Sequence, residues 1–193
     1  MARIPLSVQG VTCITASSTA SLLVVTDMEA KRQISIVIDN AMHHEFDIRR
    51  GKHSDDREER KRNTALLEHC LPETMSAILK YLTDVELAVV ITTVYDGQYR
   101  AVIEDSKTGT SFIIRASDGI LLSYADPHIP LYIEESLWNR QSLPFDANAG
   151  GIAIPLNTLS PSMLKKALEK CIEEENYEMA EKLKNELKER GES

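Results

Sequence analysis

The chain is poor in aromatic residues, has no paired cysteines, carries no excess of positive charge and lacks any long apolar run. Each shortage removes a class of protein. Phenylalanine, tyrosine and tryptophan make up only 5% of the 193 residues, so the platform on which single-strand binders stack successive bases is absent. The cysteines, Cys13, Cys70 and Cys171, are far apart and form no Cys-x-x-Cys pair. An odd, scattered set fits a reduced cytoplasmic protein, not a disulfide scaffold or a zinc site. The net charge of −8 argues against broad, non-specific nucleic-acid binding, which depends on neutralising phosphates, and leaves room only for a small local basic site. No apolar run approaches the roughly 18 residues of a membrane span. Met1 to Pro5 opens without the apolar segment of a secretory leader. There is no internal repeat and no low-complexity segment.

What is present is ordinary for a globular protein: 42% hydrophobic and 27% charged residues. The length suits one main domain with an appendage. Residues 3–38 read as strands, with Ile4, Leu6 and Val8 alternating, a short apolar run from Leu22 to Thr26, a polar turn at Asp27 to Lys31, and Ile34, Ile36 and Ile38 alternating again. Asp47 to Asn63 is dense in both charge signs and reads as an exposed helix or loop with a solvated surface. Leu66 to Leu82 has helical periodicity, and Pro72 either starts a second helix or kinks the first. Tyr95-Asp96-Gly97-Gln98 between two apolar runs is a hairpin turn. Lys107 to Thr110 is another turn, leading into a strand at Ser111–Arg115. Ser117 suits a helix N-cap ahead of Ile120 to Leu122. Pro130 to Ile133 is a short strand and Glu134 to Trp138 a helical turn. Strands with a few helices and no regular βαβ rhythm predict an α+β body with a mostly antiparallel sheet. Asn139 to Leu159 holds Pro144, Gly150, Gly151 and Pro155 and reads as a linker, with Ile152, Ile154 and Leu156 laid against the body.

The tail has a different texture. Ser160 before Pro161 sets an N-cap with proline at the first helical position. Leu164, Leu168, Cys171 and Ile172 then recur at helical spacing, Glu174 to Asn176 break the pattern, and Tyr177, Ala180, Leu183 and Leu187 form a second set. Glu178 and Lys182 sit at a supporting separation. Helices of roughly a dozen residues are marginal alone in water, so this two-helix hairpin must pack on the body, a second copy or another protein. The expected organisation is a body at residues 1–138, a linker at 139–159 and a hairpin at 160–193.

The run from Asn176 to Leu187 resembles the UVR helical hairpin of bacterial excision-repair proteins: Tyr177, Ala180 and Leu183 match, while Lys184 and Asn185 stand where that motif has Arg-Asp. The resemblance implies a protein-contact module for dimerisation or docking, with Leu164, Leu168, Ile172, Tyr177, Ala180, Leu183 and Leu187 as the partner-binding residues. The body resembles the bifunctional nuclease domain, small α+β proteins assigned DNase and RNase activity, in which a UVR hairpin commonly follows. Arg115-Ala116-Ser117-Asp118-Gly119-Ile120 is similar to that family's Arg-Pro-Ser-Asp-Ala-Ile, Pro130 to Leu137 to its Pro-x-Tyr-x-Glu-Glu-x-Leu, and Asp96-Gly97 with Tyr99 to its hairpin. The departures are specific. Pro72-Glu73-Thr74-Met75-Ser76 stands where the family has Pro-x-Thr-His-Asp, and an acidic position of the family falls on Met42, so that Glu45 replaces it only after a three-residue shift.

The resemblance implies hydrolysis of DNA or RNA phosphodiesters, with Asp118, Arg115 and Glu45 as catalytic residues and Arg115, Ser117 and Thr74 holding substrate. Such chemistry generally needs a divalent metal or a strong acid–base pair. Mg²⁺ or Mn²⁺ would be held by Asp118, Glu45, His43 and Asp47. The run His43-His44-Glu45-Phe46-Asp47 offers imidazoles that suit Mn²⁺ or Zn²⁺ better than Mg²⁺; on a helix His43 and Asp47 share a face. The structural alternative for Arg115 and Asp118 is an ion pair at a helix start, where the dipole favours the carboxylate. The alternative in another functional class is a non-catalytic homo-oligomeric adaptor whose hairpin recruits a repair or stress-response protein.

Overall fold

The computed structural model describes residues 2–13, 20–51, 55–82, 84–95, 98–145, 161–189 and 191. The body is α+β: strands β1 (Arg3–Cys13), β2 (Ala20–Asp27) and β3 (Arg32–Asp39), helices α1 (Asn40–Gly51), α2 (Arg57–Leu67) and α3 (Leu71–Leu79), strands β4 (Leu87–Tyr95), β5 (Gln98–Asp105) and β6 (Ser111–Arg115), helix α4 (Ala116–Ala125), strand β7 (Leu131–Glu134), helix α5 (Glu135–Gln141) and the two-residue β8 (Leu143–Pro144). The hairpin follows as α6 (Pro161–Glu173) and α7 (Tyr177–Glu189). Among the described residues the strand order is β6-β5-β4-β7-β1-β2-β3-β8, and only the β4–β7 pairing is parallel.

The long first strand joins two halves of the sheet. Arg3 to Pro5 pair with β7, and Leu6 to Cys13 pair with β2 across a register shift between Val8 and Gly10. Such an irregularity bends a strand and raises its twist. The apolar alternation seen in sequence then fills one interior: Leu23, Val25, Ile34, Ile36 and Ile38 from one half, Val89, Ile91 and Ala101 from the other, with Phe46 of α1 and Ile120 to Leu122 of α4 between them.

Local chemistry sets the element ends. Asp27 accepts the Lys31 amide at 2.8 Å and closes the β2–β3 turn. The β4–β5 pairing ends on Tyr95 and Gln98; Asp96 and Gly97 lie outside the described residues. In the next turn, Asp105 accepts Thr108 Oγ1 at 2.7 Å and the amides of Lys107 and Glu86, and Gly109 takes a positive φ of 71° that a side chain would resist. Those bonds hold the Asp105 carboxyl below its usual range. Pro72 sits in the first turn of α3, so it starts a second helix.

Two expectations are revised. The linker begins later than Asn139: α5 runs to Gln141, Leu143 and Pro144 pair with Gln33 and Arg32, and the Phe145 amide reaches Lys31 O at 2.9 Å. Ile152, Ile154, Leu156 and Ser160 lie outside the described residues. The charged run is not uniformly solvated either. It forms the end of α1 and the start of α2, and Arg49 within it is buried. Among the described residues no helix is long and apolar enough to cross a membrane.

Candidate functional site

The expected functional residues fall at the start of α4, on α1, on α3 and on the two helices of the hairpin. Arg115 ends β6 and occupies the N-cap position of α4 without a side-chain cap bond. Ser117 is therefore inside the first helical turn instead of capping it. Asp118, one residue on, lies where the helix dipole favours a carboxylate. It receives the Arg115 fork on both oxygens, Nε to Oδ2 at 2.7 Å and Nη2 to Oδ1 at 3.0 Å. That bond, then the Asp118 charge, raises the Arg115 pKa, and Asp39 adds to it from the end of β3. The Arg115 side chain remains 71% exposed.

The α1 residues divide by helical phase. His43 and Asp47 share a face, with His43 Nε2 3.1 Å from Asp47 Oδ2 and His43 Nδ1 2.8 Å from Ser21 Oγ. Both ring nitrogens are thus engaged. Arg50 donates to Asp47 at 2.8 Å. Glu45 points elsewhere. Its carboxylate takes Arg49 Nη1 at 2.8 Å, while Arg49 Nη2 reaches Glu73 of α3 at 2.7 Å. Burial alone would lower the Arg49 pKa, and the two carboxylates outweigh it. Arg49 therefore ties α1 to α3, and Glu45 serves that tie. Met42, where the resemblance expects an acid, packs against the core. Thr74 is exposed on α3.

Tested against a divalent metal, these donors do not form a cage. Asp118 is spent on Arg115, Glu45 on Arg49, and His43 with Asp47 on each other and on Ser21 and Arg50. Among the described residues, no three His, Cys, Asp or Glu side chains converge on a point that would hold an ion.

One cluster was not anticipated from sequence. Ser76 stands where the resemblance expects an aspartate, and its buried hydroxyl donates to Asp126 Oδ2 at 2.6 Å. Asp126 Oδ1 lies 3.0 Å from His128 Nδ1 and also accepts the His128 amide at 3.0 Å. Burial would raise the Asp126 pKa; the Ser76 and His128 bonds reverse that and hold it below the usual carboxylate range. The signal in sequence was Asp126-Pro127, a dipeptide that initiates a turn through the aspartate side chain, with His128 directly after it.

The hairpin divides its apolar residues between two tasks. Leu164, Leu183 and Leu187 are buried with Leu143 in a second core, and Ala180 is buried as well. These four expected partner residues hold the hairpin together and seat it, and Ala180 and Leu187 also form part of the groove wall. Ile172 and Tyr177 stay 54% and 69% exposed. With half-buried Leu168 they line a groove of ≈ 920 Å³ whose rim carries Lys184, Lys188 and Glu181. The turn between the helices is closed by Asn176, which caps α7 by accepting the Met179 amide at 3.2 Å. Polar bonds seat α7 on the body: Gln141 Nε2 donates to Glu186 at 3.0 Å, Lys182 donates to the Ser142 carbonyl, and Arg32 donates to Glu178 at 3.3 Å. Desolvation and nearby Arg32 push the Lys182 pKa down. Compared with known protein families and with characterised proteins, the chain matches none.

Proposed function

We propose that the chain is a bifunctional-nuclease-type body carrying a UVR-type hairpin, and that it works as a protein-binding adaptor through the hairpin's outer groove. The observation that carries this reading is the groove itself. Ile172 and Tyr177 are left open beside half-buried Leu168 on a hairpin whose Leu164, Leu183 and Leu187 are already buried. Exposed contiguous apolar surface marks interaction sites, and tyrosine is prominent among interface anchors. The lysine-bearing rim suits a partner helix with an apolar ridge flanked by acidic residues. The local pairing of Arg115 with Asp118, and of Glu45 with Arg49, supports a body in which these residues build the fold.

The test is site-specific photocrosslinking. A benzoyl-phenylalanine placed at Tyr177 in the full chain should capture a defined protein, and Ile172→Glu in the same chain should remove it. Capture that is unchanged by Ile172→Glu, and equal to that from a probe at exposed Met28, refutes the groove.

The nuclease reading is favoured by one observation: Arg115 is exposed between two carboxylates, Asp118 in contact and Asp39 close enough to raise its pKa. Its test is cleavage of labelled DNA and RNA with Mg²⁺, Mn²⁺ or EDTA, beside Asp118→Asn. Metal-dependent cleavage lost in that variant would assign hydrolysis to this end of α4. No cleavage under any condition rejects it.

A further inference from the structure

We infer that two copies of the chain pair edge to edge through β6, making one continuous sheet across a two-fold axis at Ile113. This surface is separate from the hairpin groove and goes beyond the adaptor reading. Among the described residues, β6 hydrogen-bonds to β5 on one side and is the last strand of the sheet. Natural edge strands are blunted by proline, by lysine, by a bulge or by a cover. The β6 sequence Ser111-Phe112-Ile113-Ile114-Arg115 has no proline or lysine, and its pairing with β5 runs without a register shift. Instead it exposes Ile113 at 82% and Phe112 at 67%.

The register identifies the occupant. On one face, Tyr132 pairs with Val90, Val90 with Val102, and Val102 with Ile113. On the other, Val89 pairs with Ile103 and Ile103 with Phe112. Both apolar rows stop at the open edge. An antiparallel second copy centred on Ile113 sets Ile113 against Ile113, Phe112 against Ile114, and Ser111 against Arg115. The first row then runs on through Ile113 into its own mirror, and the second through Ile114 and Ala101. Cross-strand apolar pairs of this kind are the unit of sheet stabilisation. Charge agrees with the pairing: Arg115 meets neutral Ser111, whose β5 neighbour is Glu104, so no like charges stand opposite. A self-complementary patch is what an isologous two-fold interface requires.

The experiment is the solution mass of the full chain by sedimentation equilibrium, for wild type, Ile113→Lys, Ile113→Glu and an equimolar mixture of the two variants. On the axis, each variant faces its own charge, and the mixture faces the opposite one. Wild type should be a dimer, each variant alone should have half that mass, and the mixture should recover the dimer. Ile113 is exposed, so the variants should still unfold in one cooperative thermal transition, which shows that they are folded, with a Tm below wild type only by what the lost association contributed. A monomeric wild type, a dimer that persists in both variants, or variants that stay monomeric when mixed overturns the inference. A dimer dissolved by Ile172→Glu and untouched at Ile113 overturns it in favour of the hairpin.

Discussion

Gly119 tests how α4, and with it Arg115 and Asp118, is positioned. The signature that this segment resembles has alanine there. A Cβ built on Gly119 would stand 2.8 Å from Val89 Cγ1, a contact that side chains do not tolerate, and 3.5 Å from Ile114 Cγ2. Val89 is a fully buried residue at 0% exposure in the middle of β4, and being branched at Cβ it has little freedom to turn away. Gly119→Ala should therefore cost about 1–3 kcal/mol in overpacking. Replacing glycine inside a helix returns about 1 kcal/mol. The net is a loss of roughly 0–2 kcal/mol, or a few degrees in Tm for a chain of this size. The background Val89→Ala removes the obstructing methyl. There, Gly119→Ala should stabilise by about 1 kcal/mol, leaving a coupling between the two sites of about 1–3 kcal/mol. Urea unfolding of the four proteins measures this directly, because the cavity cost of Val89→Ala cancels in the cycle. Additivity within about 0.5 kcal/mol would refute the claim that the Val89 side chain dictates glycine at this position.

Two other predictions follow from buried ionic contacts. Arg49→Met keeps the volume but leaves Glu45 and Glu73 without their shared cation; breaking a buried pair costs about 3–5 kcal/mol, and because both carboxylates keep some solvent access the expected loss is about 2–3 kcal/mol, read by denaturant unfolding, with a change below about 0.5 kcal/mol refuting the tie between α1 and α3. Asp126 is held below the ordinary aspartate value of 3.8, so its contribution to stability is fully present above that pH and is lost as pH falls through the lower folded-state pKa. Asp126→Asn should flatten the acid limb of the stability–pH curve relative to wild type, and two parallel limbs would show that the Ser76 and His128 bonds do not act through the charged carboxylate.

Signals that are local in the chain were legible. Asp27 to Lys31 and Lys107 to Thr110 each announce a turn because the chemistry that closes them lies within a few residues, and each joins antiparallel neighbours. The parallel pairing of β4 with β7 was not readable, since nothing in Leu87–Tyr95 specifies which distant strand lies beside it. Arg49 shows a second limit. A run averaging many charges of both signs reads as solvated surface, yet helical phase turns this one guanidinium inward onto Glu45 and Glu73. The candidate catalytic set failed to converge for the same reason. Glu45 lies within four residues of both His43 and Asp47, but that proximity on a helix places it on another face.

The hairpin shows how docking divides an apolar face. Helical periodicity could not rank the seven expected partner-binding residues, because rank depends on where the body docks. That seat is largely polar: Gln141 on Glu186, the Ser142 carbonyl on Lys182, and Arg32 on Glu178. Polar contacts fix orientation through geometry while burying little apolar area. Among the described residues, only Leu143 of the body enters the core formed by Leu164, Leu183 and Leu187. The apolar face is therefore shared unequally, and Ile172 and Tyr177 are left over because the seat does not need them. A hairpin seated through its opposite face would bury these two residues and open the others. The polar anchors Arg32 of β3, Gln141 of α5 and Ser142 just after it, distant from the groove in sequence, thus belong to a seat that leaves Ile172 and Tyr177 exposed.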